Sequence, residues 1–116
     1  MHRREEISLL IDRITECLNS NPSNDECKKE FFNFIEEYKK IKPFTMIEFV
    51  KYNRFNEDRL SCIFMAYSMK QIKYLGEIKL SILKENWYNA LENIIELYRA
   101  YDLLEPKIYY SIIDIL

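Results

Sequence analysis

The chain has 116 residues, of which 48% are hydrophobic and 15% aromatic, and its 17 basic and 19 acidic side chains leave a formal charge of −2 at pH 7. A chain of this length fits one domain with its own apolar core, so we expect residues 1–116 to form a single α-helical domain. The pI of about 5.5 lacks the basic footprint of a DNA- or RNA-binding protein, so we expect no direct contact with nucleic acid.

Glycine is nearly absent from the chain. Gly76 is the one glycine, whereas tight β-hairpins, Rossmann turns and phosphate-binding loops use glycine for backbone angles that other residues avoid. The composition therefore predicts an all-α fold. We expect a single compact bundle of five or six helices.

Apolar residues recur at intervals of three and four in the first part of the chain, a spacing that predicts helices over about residues 4–18 and 23–41. Pro22 separates the two helices, and Ser23 and Glu26 have the spacing of a capping box at the start of the second. The expected core positions are Ile7, Leu10, Ile11, Ile14 and Leu18, followed by Cys27, Phe31, Phe34, Ile35, Tyr38 and Ile41.

Two further helices are predicted after Pro43. Thr45 and Glu48 repeat the capping-box spacing and predict a short helix to about Phe55. The next helix begins near Glu57 and ends near Gly76, which stands where a left-handed residue closes a helix. Its expected buried positions are Leu60, Ile63, Phe64, Tyr67, Ile72 and Leu75.

Residues 77–84 permit two interpretations. Ile78, Leu80 and Ile82 alternate with polar residues as in a strand, but an isolated strand has no pairing partner in this chain, so we favour helix. Asn86 or the nearby polar pair then begins a long helix, and Pro106 suits the first turn of a final one. The expected core positions after Asn86 are Trp87, Leu91, Ile94, Ile95, Tyr98 and Tyr101, then Ile108, Tyr109, Ile112, Ile113 and Leu116.

The residues that usually carry out catalysis are scarce. His2 is the only histidine, so a histidine general base, a nucleophile paired with histidine and a histidine-based metal site each lack a second component. Glu92 and Glu96 lie one helical turn apart, but no second carboxylate cluster is evident, so we interpret them as a solvated face. We expect that the protein is not an enzyme and that it binds no cofactor and no metal ion.

The three cysteines, Cys17, Cys27 and Cys62, are odd in number and lack CxxC spacing. We expect reduced, packed thiols, with a bridge between Cys17 and Cys27 as the alternative. The charged N-terminal segment lacks the apolar run of a signal peptide, and the longest uncharged stretch, residues 60–69, is about half of a membrane span. We expect a cytoplasmic protein without a membrane segment.

Aromatic residues exceed what a small helical core usually needs, with nine tyrosines, seven phenylalanines and one tryptophan. Tyrosine is favoured at protein interfaces because it combines a large contact area with a polar tip. Tyr52 and Tyr88 fall outside the main apolar stripes, and Glu92 and Glu96 lie near Tyr88 in the sequence. These four residues are the predicted partner-binding site.

The chain resembles the small all-α immunity proteins of bacterial toxin systems, of the contact-dependent inhibition or bacteriocin type. The resemblance lies in its size, mild acidity, single domain and lack of catalytic groups. The resemblance implies a protein that binds and occludes a cognate toxin domain, a basic one and in particular a nuclease. The alternative is a helical adaptor or regulatory subunit of a larger assembly, including a homodimer.

Overall fold

The computed structural model describes the backbone of residues 3–41 and 57–115, and the side-chain surroundings of residues 4–41 and 65–102. The described backbone forms four helices: α1 (Arg3–Asn19), α2 (Asn24–Ile41), α3 (Glu57–Leu83) and α4 (Trp87–Ile115). The all-α class is confirmed. The described part of the chain contains four helices rather than five or six, and the short helix predicted from Thr45 to Phe55 lies outside it.

Helices α1 and α2 agree with the apolar spacing. Ile7 and Ile14 are fully buried in α1, and the predicted apolar positions of α2 from Cys27 to Tyr38 are all buried. The Ser23 hydroxyl accepts a hydrogen bond from the Glu26 backbone amide at 3.2 Å, which provides the predicted cap of α2.

The prediction that a helix ends at Gly76 is wrong. Helix α3 continues to Leu83, which confirms the helical interpretation for residues 77–83 and excludes the strand, while Lys84 lies in the turn that follows. Ile78 and Ile82 are fully buried one turn apart, so packing supports the helix beyond the glycine. The turn that follows instead uses Glu85, at φ 55°, as its left-handed residue.

The prediction that a new helix begins at Pro106 is also wrong, because α4 continues through this residue to Ile115. A proline inside a helix removes one backbone donor and costs about 3 kcal/mol, which disfavours the helix without forbidding it. Asn86 does cap α4 as expected, since its side-chain oxygen accepts from the Asn89 amide at 3.2 Å.

The four helices pack as neighbours in the order of the chain, and α1 also contacts α4, which closes the arrangement. The most extensive contact joins α3 and α4. The core between the helices consists of Ile7, Ile14, Cys27, Phe31, Phe34, Ile35, Tyr38, Tyr67, Ile78, Ile82, Ala90, Ile94, Leu97 and Tyr101. Leu91, Tyr98 and Trp87, which were predicted as core positions, are partly buried against it.

The turns that end α1 and α3 lie at the same end of the bundle. The Trp87 indole donates a hydrogen bond to the Asn24 side-chain oxygen at 3.0 Å, and the Asn24 amide donates to Glu85 at 2.8 Å. The Trp87 ring also stacks on Phe31, with centroids 5.4 Å apart. Contacts between α2 and Trp87 therefore fix the first turn of α4, from which the Tyr88 side chain projects.

Candidate protein-binding surfaces

Three of the four predicted partner-binding residues share the outer face of α4. Ala90, Ile94, Leu97 and Tyr101 point into the core, and the helical repeat places Tyr88, Glu92 and Glu96 on the opposite side. The Tyr88 side chain is 85% exposed. The structure thus brings Tyr88 together with the two glutamates, while Tyr52 lies outside the described residues.

The charge of this outer face is more mixed than the sequence suggested. Arg99 donates a hydrogen bond to Glu96 at 2.7 Å, so this carboxylate already has a cationic neighbour on its own helix. Glu92 is exposed and forms no ion pair with any residue that the structure describes. Of the three predicted residues that the structure describes, Tyr88 and Glu92 are therefore the two that a partner can contact without displacing Arg99.

A second exposed surface was missed by the sequence analysis. Met65, Met69, Ile72, Leu80 and Leu83 are all exposed on α3, and together with Gly76 they follow one another at intervals of four, three, four, four and three residues. This spacing places all six on one side of the helix. We call these six residues the α3 stripe.

Ile72 shows why the stripe was missed. It was predicted to be buried, but its side chain is 72% exposed. Tyr67, Ile78 and Ile82 define the core side of α3, and Ile72 lies about 140° around the helix from Tyr67. The helix carries apolar residues on two opposite sides. The prediction assigned residues from both sides to one buried stripe. The interval pattern of the outer residues was the signal available in the sequence.

Polar side chains border the α3 stripe. Lys70, Lys73 and Lys79 are exposed along α3 and Lys84 is exposed just after it, and Glu77 is the exposed acid among them. The Lys73 ammonium lies 5.6 Å from the centre of the Tyr74 ring, which keeps this charge close to the helix. At Gly76 the outer face has open space, since an added Cβ would meet no atom within 4 Å.

Among the side chains that the structure describes, the titratable groups with the largest pKa shifts are two buried tyrosines. Tyr38 donates a hydrogen bond to the Gln71 side-chain oxygen at 3.1 Å, and its hydroxyl lies 3.0 Å from that of Tyr67. Burial raises the pKa of both phenols far above the ordinary value of 10.0. Both groups stay neutral at physiological pH and serve as hydrogen-bonded core residues.

Cys17 and Cys27 are free thiols, as expected, and Cys27 is buried. Burial is the largest cause that raises the pKa of each thiol, which disfavours the reactive thiolate. The side chain of Cys62 lies outside the described residues.

Within the described ranges, no group of three or more histidine, cysteine, aspartate or glutamate side chains could hold a metal ion. Over the same residues, no helix combines the length and the apolar character needed to cross a bilayer.

No protein-family model, curated protein or solved structure matches the chain.

Proposed function

We propose that the protein acts by binding another protein through the outer face of α4. The observation that supports this proposal is the position of Tyr88, a large aromatic side chain that is 85% exposed although the turn beneath it is fixed by the contacts of Trp87 with Asn24 and Phe31. An exposed tyrosine on a backbone segment fixed by its neighbour resembles the aromatic anchors that provide most of the energy of protein interfaces. It also costs little conformational entropy to immobilise.

The specific form of the proposal is an immunity protein that occludes a basic toxin domain, in particular a nuclease, within the cytoplasm of the producing cell. Glu92 lies one turn from Tyr88 and would face basic groups of the toxin. An exposed carboxylate of this kind speeds association by attracting the partner over a distance of about 8 Å at physiological salt. Tyr88 would then slow dissociation by filling a pocket on the toxin.

The test measures binding to a toxin domain encoded beside this chain, with separate association and dissociation rates. Tyr88→Ala should raise the dissociation rate and weaken binding by about 2 kcal/mol, because an interface anchor is lost. Glu92→Lys should slow association at low salt, and the defect should shrink as salt is added. Glu16→Lys is the matched control, because it makes the same charge change at an exposed position of α1.

Helical content should remain unchanged in these variants, because the three side chains are exposed. Wild-type kinetics in both Tyr88→Ala and Glu92→Lys would contradict the choice of the α4 face. If Glu92→Lys and Glu16→Lys slowed association equally, Glu92 would act only through the net charge of the protein and not through its position on α4.

A helical adaptor or subunit of a larger assembly is the second candidate function, and the α3 stripe favours it. Monomeric proteins rarely leave a continuous apolar surface uncovered, whereas subunits bury such surfaces against a neighbour. The two candidates differ in what the neighbouring genes encode. A toxin domain whose toxicity this chain suppresses supports the first, and structural proteins that copurify through α3 support the second.

A further inference from the structure

The α3 stripe has the spacing of a helix that packs against another helix along its length. Its six positions extend over about 27 Å at 1.5 Å per residue. The intervals of three and four residues match those of the apolar seam in paired helices. The core side of α3 is already filled by Tyr67, Ile78 and Ile82, so the stripe is an additional surface.

The side-chain sizes along the stripe complement those of a second, antiparallel copy of the stripe. When two copies of α3 run antiparallel about a two-fold axis near residue 74, Ile72 of each copy faces Gly76 of the other. In this register Met69 faces Leu80, and Met65 faces Leu83. Gly76 leaves open space on its outer side, which provides the recess that a branched Ile72 side chain requires.

One pair of charges beside the stripe is complementary in the same register. Lys73 and Glu77 are exposed on one side of α3, one turn apart. In the antiparallel arrangement Lys73 of each copy lies beside Glu77 of the other, so the two-fold axis produces two identical ion pairs. In a parallel two-fold arrangement Lys73 and Glu77 of the two copies would lie on opposite sides of the seam, so these pairs would not form.

We propose that a second copy of this chain docks antiparallel along the α3 stripe, with Ile72 over Gly76 and Lys73 beside Glu77. The dimer uses α3 and does not rest on the function proposed for α4. We expect weak association of micromolar affinity, because contacts below about 1,200 Å² are typical of transient complexes.

Sedimentation equilibrium of the full chain tests the proposal between about 1 and about 500 µM, a range that spans weak and strong occupancy of such an interface. The wild type should rise from the monomer mass of 14.2 kDa toward twice that value. Ile72→Glu should remain monomeric at every concentration with unchanged helical content. Lys29→Glu, an exposed charge change on α2, should dimerise like the wild type.

Charge exchange identifies the partner as a second copy. Lys73→Glu and Glu77→Lys should each weaken dimerisation about tenfold, because each places like charges across the axis. The double variant Lys73→Glu with Glu77→Lys should regain wild-type dimerisation, because the pairs are restored in reverse. We expect this rescue when the stripe pairs with the same stripe of a second copy.

Three results would overturn the proposal. The first is a wild-type protein that keeps the monomer mass at the highest concentration. A loss of helical content or of monomer stability in Ile72→Glu would mean that another part of the same chain covers the stripe. Binding of a monomeric wild type to vesicles of anionic lipid or to an acidic helical peptide, abolished by Ile72→Glu, would assign the stripe to that ligand instead.

Discussion

Tyr38, Tyr67 and Gln71 show how the core accommodates polar atoms. The Tyr38 hydroxyl donates to Gln71, which leaves the Tyr67 hydroxyl to donate to Tyr38. A buried hydroxyl without a hydrogen bond costs about 1–3 kcal/mol, so this arrangement allows two large phenols to pack between α2 and α3. The same burial makes the phenolates unfavourable in the folded state.

Stability should therefore fall at alkaline pH. The unfolded chain begins to lose phenolic protons near the ordinary pKa of 10.0, while the folded chain keeps those of Tyr38 and Tyr67. The folded state then binds more protons, so the free energy of unfolding should decrease above pH 10 by up to about 1.4 kcal/mol per pH unit for each of the two groups. Below pH 9 these groups contribute no slope.

Urea unfolding at a series of pH values checks this prediction. In the double variant Tyr38→Phe with Tyr67→Phe, the decline above pH 10 should become shallower. An equal decline in the wild type and in the double variant would contradict the role assigned to these two phenols.

Gly76 provides a second test at the level of one residue. It occupies the interior of α3, where glycine is about 1 kcal/mol less favourable than alanine, and an added Cβ would meet no atom within 4 Å. Gly76→Ala should raise the free energy of unfolding by about 1 kcal/mol, measured at low protein concentration. Ala66→Gly, at another exposed position of α3, should lower it by a similar amount. A destabilised Gly76→Ala would mean that its outer face is covered in the monomer.

At the level of elements, apolar spacing predicted where helices lie better than it predicted where they end. Ile7, Ile14, Phe31 and Tyr38 are buried as the spacing required. Gly76 and Pro106 were interpreted as boundaries because of their backbone preferences, and both lie inside helices. The cost of each is a few kcal/mol at most, and burial of large apolar residues is worth more. Local preference therefore could not locate these ends.

The cap at Asn86 was recognised in the sequence and can be tested separately. Its side chain accepts from the Asn89 amide, and no core contact is involved since Asn86 is exposed. Asn86→Ala should lower the free energy of unfolding by about 1 kcal/mol, and Asn86→Asp should retain most of the wild-type value because aspartate also caps helices. The comparison by urea unfolding would contradict the capping role if both variants were equally destabilised.

The candidate site was only partly accessible from the sequence. Tyr88 and Glu92 could be placed on an outer face because they fall outside the buried stripe of α4. The ion pair between Glu96 and Arg99 depends on side-chain geometry, and two glutamates alone suggested a more acidic surface. The α3 stripe was missed because its apolar residues are indistinguishable in type from core residues, and only packing decides which side of a helix is covered.

At the level of the whole molecule, the bundle presents two different surfaces. Contacts between Asn24, Glu85 and Trp87 join the turns at one end, and Arg4 lies 3.4 Å from Asp102 between the first and last helices. This frame supports Tyr88 on α4 and the apolar stripe on α3. Neither surface is needed to fill the core, and both have the chemistry of protein contacts.

The most direct test of protein binding through α4 is the growth of cells that express a neighbouring toxin domain together with this chain. The wild type should restore growth, Tyr88→Ala should restore it markedly less at equal protein level, and Tyr88→Phe should act like the wild type because the aromatic anchor is kept. Equal rescue by Tyr88→Ala and the wild type, or no rescue and no complex with the wild type, would contradict the account.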